Sequence, residues 1–188
     1  ANAQAQKLWL VGKSQPEACD ALFSQWQRSG GLTDELRWQR AKLAAEAGQY
    51  GLASSLIRQL PGLTHKGQLL VEVAQKPQLL KQTGKFVPAD RQMADVVGLG
   101  LRRMARQNPE QAIEWLEFYG NRLPFSSEEK VAIARSIGLT LAKRFDSLEH
   151  QLAALGVTRE SVDYVAFDHF HTQDFRGLLG TQDAAHAP

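Results

Sequence analysis

The sequence predicts an all-α fold, an α-solenoid or superhelix of irregular helical hairpins, followed by a short helix–strand tail of different character. Up to residue 145, apolar residues recur at helical spacing between Gly and Pro stop signals. Three of the predicted helices share one spacing template, and the composition changes after residue 145. We therefore divide the chain into an α-superhelical repeat domain fragment, 1–145, and a divergent tail, 146–188, expected to be foreign to the repeat or disordered in part.

The clearest element is the stretch Leu32–Leu60, which predicts an antiparallel pair of helices. Thr33 is placed to cap the first helix, and Gly48 to end it in the left-handed conformation. The residues predicted to share the inner faces are Leu36, Arg40, Leu43 and Ala47 on the first helix, and Ala53, Leu56, Ile57 and Leu60 on the second. Because a single hairpin cannot bury such a face, the rest of the chain must supply further hairpins.

Further helices are predicted on both sides of this pair. The first of them ends at Val11. The next five run from Pro16 to Ser29, from Leu63 to Gln75, from Gln78 to Thr83, from Pro88 to Gln107 and from Pro109 to Gly120. Of the last two, one begins at the Ser126/Glu129 capping box, with the stripe Ile133, Ile137, Leu141 and Phe145, and the other runs from Ser147 to Leu155. An apolar run from Tyr164 to Phe167 is typical of a strand.

The template that three helices share is a small residue followed by apolar residues at +3, +4 and +7. The three small residues are Cys19, Ala53 and Ala112. Their separations, 34 and 59 residues, do not fit a strict tetratricopeptide series, so the repeat is irregular. In a solenoid each repeat contacts mainly its neighbours. The alternative is a compact bundle of generic amphipathic helices.

Composition bounds the function. A hydrophobic content of 43% and a charged content of 22% are ordinary for a globular domain. No run of about 18 apolar residues predicts a membrane span, and the first residues, ANAQAQKLWL, do not resemble a signal peptide. The single cysteine, Cys19, is expected to be a buried core residue and not a nucleophile.

The net charge of +2 is unevenly distributed. From Asp146 onward, seven acidic residues face two basic ones, which makes the tail −5 and the preceding part +7. A basic body is suited to an anionic polymer, such as a nucleic acid or a cell-wall glycan that bears peptide carboxylates. The alternative is an ordinary solvated surface. Because no dense Lys/Arg run with interleaved aromatic residues is present, we expect no nucleic-acid partner.

Four segments carry a resemblance to a known family: LWLVGKSQPEACDALFSQW, LAAEAGQYGLASSLIRQLP, DVVGLGLRRMARQNPEQAIEWLEFY and LPFSSEEKVAIARSIGLTLAKRF. Together and in order, from Lys7 to Phe145, they resemble the superhelical domain of soluble lytic transglycosylases. The resemblance implies a periplasmic, non-catalytic scaffold portion of an enzyme that cleaves peptidoglycan strands. It implies as partners the glycan strands, a separate lysozyme-like catalytic domain and, through an exposed helical end, a second copy. No E-S motif followed by a G-L-M-Q segment, as in that domain, is present in this sequence, so no catalytic residue and no cofactor are assigned.

The tail weakly resembles the first metal-ligand motif of metallo-β-lactamase-fold proteins, H-x-H-x-D-H. His169 and His171 match the motif, whereas Gln173 stands where the family has Asp and Asp174 where it has the last His, so that His169, His171 and Asp174 are the candidate ligands. Two His residues on one side of an extended segment with a carboxylate nearby suit Zn²⁺. A metal-dependent hydrolase fragment is therefore the alternative function, and a generic helical-repeat module for protein interaction is another.

Overall fold

The structure is a computed structural model that describes residues 2–154, with side chains to residue 148 and at His150. Every regular element in this range is helical. The α-helices are α1 (Asn2–Trp9), α2 (Asp20–Arg28), α3 (Asp34–Glu46), α4 (Tyr50–Ile57), α5 (Thr64–Gln75), α6 (Arg91–Gln107), α7 (Pro109–Gly120) and α8 (Ser127–Ala154). None of these helices is long and apolar enough to cross a membrane. The predicted all-α fold is confirmed.

The α3–α4 hairpin forms as the sequence predicts, with one difference in its buried face. The Leu36 amide donates to Thr33 Oγ1 at 3.3 Å, and Gly48 closes the turn with a φ of +77°. All four predicted residues of α4 and its end are buried. On α3 the predicted face is wrong in part, because Leu43 is 37% exposed. Ala47 is also exposed, whereas Arg40 is buried as predicted; the other buried residues of α3 are Trp38, Ala41, Ala44 and Ala45.

The small side chains of α3 explain why this helix turns Leu43 toward solvent and its alanines toward the neighbouring helices. Ala41, Ala44 and Ala45 are completely buried, so the backbone of α3 can approach its neighbours closely. Trp38, also 0% exposed, supplies the volume that fills the space between helices. A rule that ranks residues by hydrophobicity places Leu43 inside, whereas close helix packing favours the alanines.

Helix α6 is the centre of the described fold. It packs against α5, α7 and α8, and more lightly against α3. Its ten buried residues are Met93, Ala94, Val96, Val97, Gly98, Leu99, Gly100, Leu101, Met104 and Ala105. At Gly98 an added Cβ would collide with the Glu129 side chain of α8, so glycine is what permits this contact. The hairpin at Leu32–Leu60 is therefore one of the packed units, and α6 is the helix that connects the units.

Helix packing follows chain order, as a solenoid requires. The contacting pairs of consecutive helices are α1 with α2, α3 with α4, α4 with α5, α5 with α6, α6 with α7 and α7 with α8. The helices α3–α5 and α6–α8 meet across one intervening helix, and α3–α6 meet across two. The described apolar core is continuous, from Ala5 in α1 to Ile137 in α8. The superhelical prediction is thus supported by sequential contacts.

The apolar residues of the shared template are not all buried in this core. Phe23, Trp26, Leu116 and Tyr119 are buried, whereas Leu22 is 37% exposed. Cys19 packs against the core and is partly buried, so its predicted burial is only partly met. Tyr119 donates its hydroxyl to the Leu80 carbonyl at 2.7 Å, and burial raises its pKa to about 12.

Three predicted boundaries differ from the structure. Residues 77–85 form two short 3₁₀ turns, Pro77–Lys81 and Thr83–Lys85, where one short helix was predicted. Helix α6 begins at Arg91 and not at Pro88, because Asp90 caps it by accepting from the Met93 amide at 3.0 Å. Glu17–Cys19 is a 3₁₀ turn, and the α-helical part of α2 starts only at Asp20.

Helix α8 continues past the predicted domain boundary. Its predicted capping box is half formed: the Glu129 amide donates to Ser126 Oγ at 3.2 Å, but the Glu129 carboxylate binds Arg102 instead. The separate helix predicted from Ser147 is the last part of α8, so residue 145 lies inside a continuous helix. Phe145 at the end of the predicted stripe is 50% exposed. The division into 1–145 and 146–188 stays a prediction.

Candidate functional site

A groove of about 1080 Å³ lies between α3, α6 and α8. Lys42 and Glu46 of α3 form one wall, the polar face of α6 forms the floor, and α8 forms the other wall. The charged residues that line the groove are Lys42, Glu46, Arg91, Asp95, Arg102, Arg106, Glu128, Glu129, Arg135 and Lys143. Six are cations and four are carboxylates, so the groove has a surplus of positive charge.

Arg102 ties the three helices together at the floor of the groove. Its Nη1 donates to Glu129 Oε1 of α8, and its Nε donates to Glu46 Oε1 of α3 at 3.3 Å. Ser136 of α8 donates to the Arg102 carbonyl at 3.1 Å. The Arg102 side chain is only 11% exposed, so these charge-assisted bonds lie in a partly dry environment where they are strong.

The Asp95 carboxylate of α6 also accepts hydrogen bonds from a neighbouring helix. It accepts from Trp38 Nε1 at 2.7 Å and from Lys42 Nζ at 2.6 Å. The indole bond explains how the fully buried Trp38 keeps its one polar atom paired. Both partners of Asp95 come from α3, so this carboxylate fixes α3 against α6.

The C-terminal end of α3 is held by Arg103. Its Nη2 donates to the carbonyls of Ala45 and Glu46 at 3.2 and 2.8 Å. These carbonyls belong to the last turn of α3, which carries a partial negative charge, and the Ala45 carbonyl also accepts from the Gly48 amide at 3.1 Å. The cation therefore completes the hydrogen bonding of the helix end.

Four groove cations form no ion pair in the described part of the chain; one of them, Arg91, lies near Glu128, which leaves three without a carboxylate. Across the described part of the chain, Arg106, Arg135 and Lys143 take part in none of the ion pairs, and all three are exposed. Along α8, Val131 lies one turn before Arg135 and Leu139 lies between Arg135 and Lys143, and each of these two apolar residues is 53% exposed. This part of the groove thus offers positive charge beside apolar surface.

A second arginine, Arg40 of α3, is buried away from the groove. It is 5% exposed, and its guanidinium carbon lies 4.2 Å from the centre of the Trp9 ring. Its Nη2 donates to the Lys13 carbonyl at 3.3 Å, and its Nε has no partner in the described structure. Burial lowers the pKa of this guanidinium. Arg40 therefore joins α1 to α3, and we assign it a structural role.

Asp90 and Glu128 do not have the raised pKa that a glycosidic acid needs. A general acid of this kind needs a raised pKa and a second carboxylate across the scissile bond. Burial alone would raise the pKa of Asp90, but hydrogen bonds from Lys66 and from the Met93 and Gln92 amides hold it below its usual value. Hydrogen bonds from its own amide and from Ser126 lower the pKa of Glu128. The Glu46 carboxylate is bound to Arg102.

The predicted metal ligands His169, His171 and Asp174 lie outside the described residues, as does the predicted strand Tyr164–Phe167. Within residues 2–154 no three His, Cys, Asp or Glu side chains lie close enough to hold a metal ion. The zinc site therefore stays a prediction.

Sequence reasoning did not find the groove. Glu46, Arg102 and Glu129 are far apart in the chain, and no spacing rule brings them together. One signal was present: Val131, Arg135, Leu139 and Lys143 recur every four residues, which places apolar and basic side chains alternately on one face of α8.

Solved structures of lytic transglycosylases match this fold. A lytic transglycosylase from Pseudomonas aeruginosa superposes over 77% of this chain with a TM-score of 0.74 and 61% sequence identity. The 70 kDa soluble lytic transglycosylase of Escherichia coli matches 72% of this chain with a TM-score of 0.53 and 27% identity, and has also been solved as a complex with bulgecin A. This chain covers 24% and 23% of those two proteins.

Curated relatives agree. The soluble lytic murein transglycosylase of Escherichia coli K12 is 33% identical over 109 residues, and that of Salmonella typhimurium is 37% identical over 112 residues. In both cases the match spans 57% of this chain but only 17% of the relative.

A different family, described as cucumovirus coat protein, matches residues 1–88, which is less than half of the chain. The two findings disagree. The transglycosylase match extends further along the chain and includes the positions of the helices in space, so it carries the argument. The predicted resemblance to the superhelical part of soluble lytic transglycosylases is confirmed, whereas the metallo-β-lactamase resemblance of the tail gains no support.

Proposed function

We propose that this chain works as a non-catalytic portion of a superhelical scaffold that holds peptidoglycan strands for cleavage by a separate lysozyme-like domain. The observation that carries the proposal is the 61% identity to the Pseudomonas aeruginosa lytic transglycosylase, over 77% of this chain. Supporting it, the groove carboxylates of the described residues are bound to cations or shifted to lower pKa, which suits a binding surface better than an acid–base pair.

Peptidoglycan binding is tested by co-sedimentation of the 188-residue chain with purified cell-wall sacculi at low salt. We expect the protein in the pellet, with release into the supernatant as salt rises, because a positive groove attracts carboxylates electrostatically. Insoluble chitin, which has a related sugar chain but no peptides, is the control. A chain that stays in the supernatant at low salt contradicts the proposal.

The absence of catalysis is tested on the same sacculi. After prolonged incubation with the purified chain, chromatography of the soluble fraction should contain no anhydromuropeptides. Release of these products by the wild-type chain would show that the chain itself cleaves the glycan.

The remaining partners follow from the same proposal. The working location is the periplasm, and the catalytic domain is a partner that contacts the superhelix. Self-association is expected through the exposed helical end, where Phe145 and Leu148 of α8 are 50% and 51% exposed. Light scattering across a concentration series should show a dimer that Phe145→Ser and Leu148→Ser together dissociate, and a monomer at every concentration would exclude self-association.

A further inference from the structure

The cationic side of the groove is organised along one face of α8. Val131, Arg135, Leu139 and Lys143 follow one another at intervals of four residues, and all four line the groove. At a rise of about 1.5 Å per residue, Arg135 and Lys143 are separated by roughly 12 Å along the helix axis. Leu139 fills the interval, and Arg106 at the last turn of α6 adds a third cation from the facing helix.

In the described structure, none of the four groove carboxylates forms an ion pair with the cations of this face. Glu46 and Glu129 are held by Arg102, and Asp95 by Lys42. Glu128 lies near Arg91, which contributes to lowering its pKa. Lys143, Arg135 and Arg106 thus have no carboxylate within the described structure, and their charge is available to a ligand.

We propose that the face formed by Arg106, Arg135, Leu139 and Lys143 binds the peptide stems of peptidoglycan, and not its sugar chain. Cations separated by an exposed apolar side chain complement a short peptide that carries carboxylates and small apolar side chains. A neutral sugar chain would instead require hydrogen-bonding groups and aromatic platforms, and no aromatic residue lines this groove in the described structure. The inference rests on the proposed scaffold function and names the part of the polymer that the scaffold recognises.

The site is open and already formed. The helices that carry it are fixed by the Arg102 and Asp95 contacts, so binding requires little rearrangement. The cations themselves are exposed and contribute no buried contact, so they can be replaced without loss of the core.

The test measures binding of the full chain to two soluble ligands by fluorescence anisotropy. One is a glycan strand that retains its peptide stems, and the other is the same strand after an amidase has removed them. We expect the stem-bearing strand to bind about tenfold or more tightly, since three exposed ion pairs, each contributing a factor of a few, together multiply to about this value.

The variant Arg106→Gln/Arg135→Gln/Lys143→Gln should bind the stem-bearing strand no more tightly than the naked one. The matched control is Arg58→Gln/Lys81→Gln/Lys85→Gln, which removes the same charge from exposed positions outside the groove. This control should keep the wild-type preference. An equal loss in both variants would mean that net charge, and not the groove, is responsible, and would overturn the inference.

The other outcomes are equally decisive. If both strands bind equally and the groove variant binds as the wild type does, the scaffold function stands and the stem-recognition inference falls. If neither strand binds the wild-type chain, both proposals fall. If a single-stranded oligonucleotide of similar length binds as tightly as the stem-bearing strand, the groove is a general anion site, and the assignment to peptide stems is wrong.

Discussion

Two arginines of the same protein hold helices together by different means. Arg40, in the cluster it forms with Trp9, Phe23 and Trp26, is surrounded by aromatic rings and has one carbonyl as its partner. Arg102, on the groove floor, is surrounded by carboxylates from α3 and α8. Both are almost completely buried, yet one is stabilised mainly by packing and the other mainly by charge.

The two arginine sites should respond differently to the salt concentration of the solution. A cation packed on aromatic rings is already desolvated, and its neighbours carry no charge that salt can screen. A cation between two partly exposed carboxylates is screened, and removal of the cation leaves charges unpaired. Stability in the N-terminal cluster should therefore depend on shape, and stability at the groove should depend on ionic strength.

The largest expected effect is at Trp9. Its ring packs edge-on against Phe23 and Trp26, with centres 5.1 and 6.2 Å away, and supports Arg40 on its face. Trp9→Ala should lower the free energy of unfolding by about 3–5 kcal/mol, because it opens a cavity among buried rings. Urea unfolding measures this change. Leu8→Ala, at a 38% exposed neighbour, is the control and should change stability little.

Arg102→Ala should have the next largest effect. It leaves Glu129 and Glu46 without their cation, and because Glu46 is 37% exposed we expect a loss of about 2 kcal/mol, below the full cost of a buried unpaired charge. The difference from the wild type should shrink in 1 M salt. Arg106→Ala, at an exposed groove cation, should change little. A loss that salt leaves unchanged would contradict the division between charge and packing.

Tyr119 tests a buried polar group that carries no charge. Tyr119→Phe should cost about 1 kcal/mol at pH 8, because the Leu80 carbonyl loses its donor. A raised pKa in the folded state means that the stabilising effect of the neutral hydroxyl is complete below the unfolded value of about 10. It is lost as the pH rises through the folded value of about 12. The advantage of the wild type should therefore shrink above about pH 10 and reverse before about pH 12, because ionising the buried hydroxyl costs more than about 1 kcal/mol, and a constant difference would contradict the assignment.

The smallest expected effect is at Arg40. Arg40→Met keeps most of the side-chain volume and removes a charge that has no carboxylate partner, so stability should change by less than about 1 kcal/mol. Thermal unfolding at low and high salt measures this, and the result should not depend on salt. A large loss in Arg40→Met would show that charge matters in the N-terminal cluster as it does at the groove.

Local signals predicted the elements well and the buried faces less well. Thr33, Gly48 and Ser126 each act at a helix end as predicted, because capping depends on neighbours within four residues. Leu43 was placed inside and is partly exposed, because the orientation of α3 depends on how closely its alanines meet other helices. The continuation of α8 through residue 145 was missed, because the change in composition there does not interrupt helix formation.

The sequence alone was sufficient for the helical class, the order of the hairpins, the caps and the resemblance to the superhelical part of lytic transglycosylases. These features are determined by short-range spacing, or by matches along the chain. The central position of α6, the contact of Gly98 with Glu129 and the groove itself were decided by tertiary structure. Arg102 meets carboxylates 56 and 27 positions away only when three helices pack together, and such a meeting has no local signature.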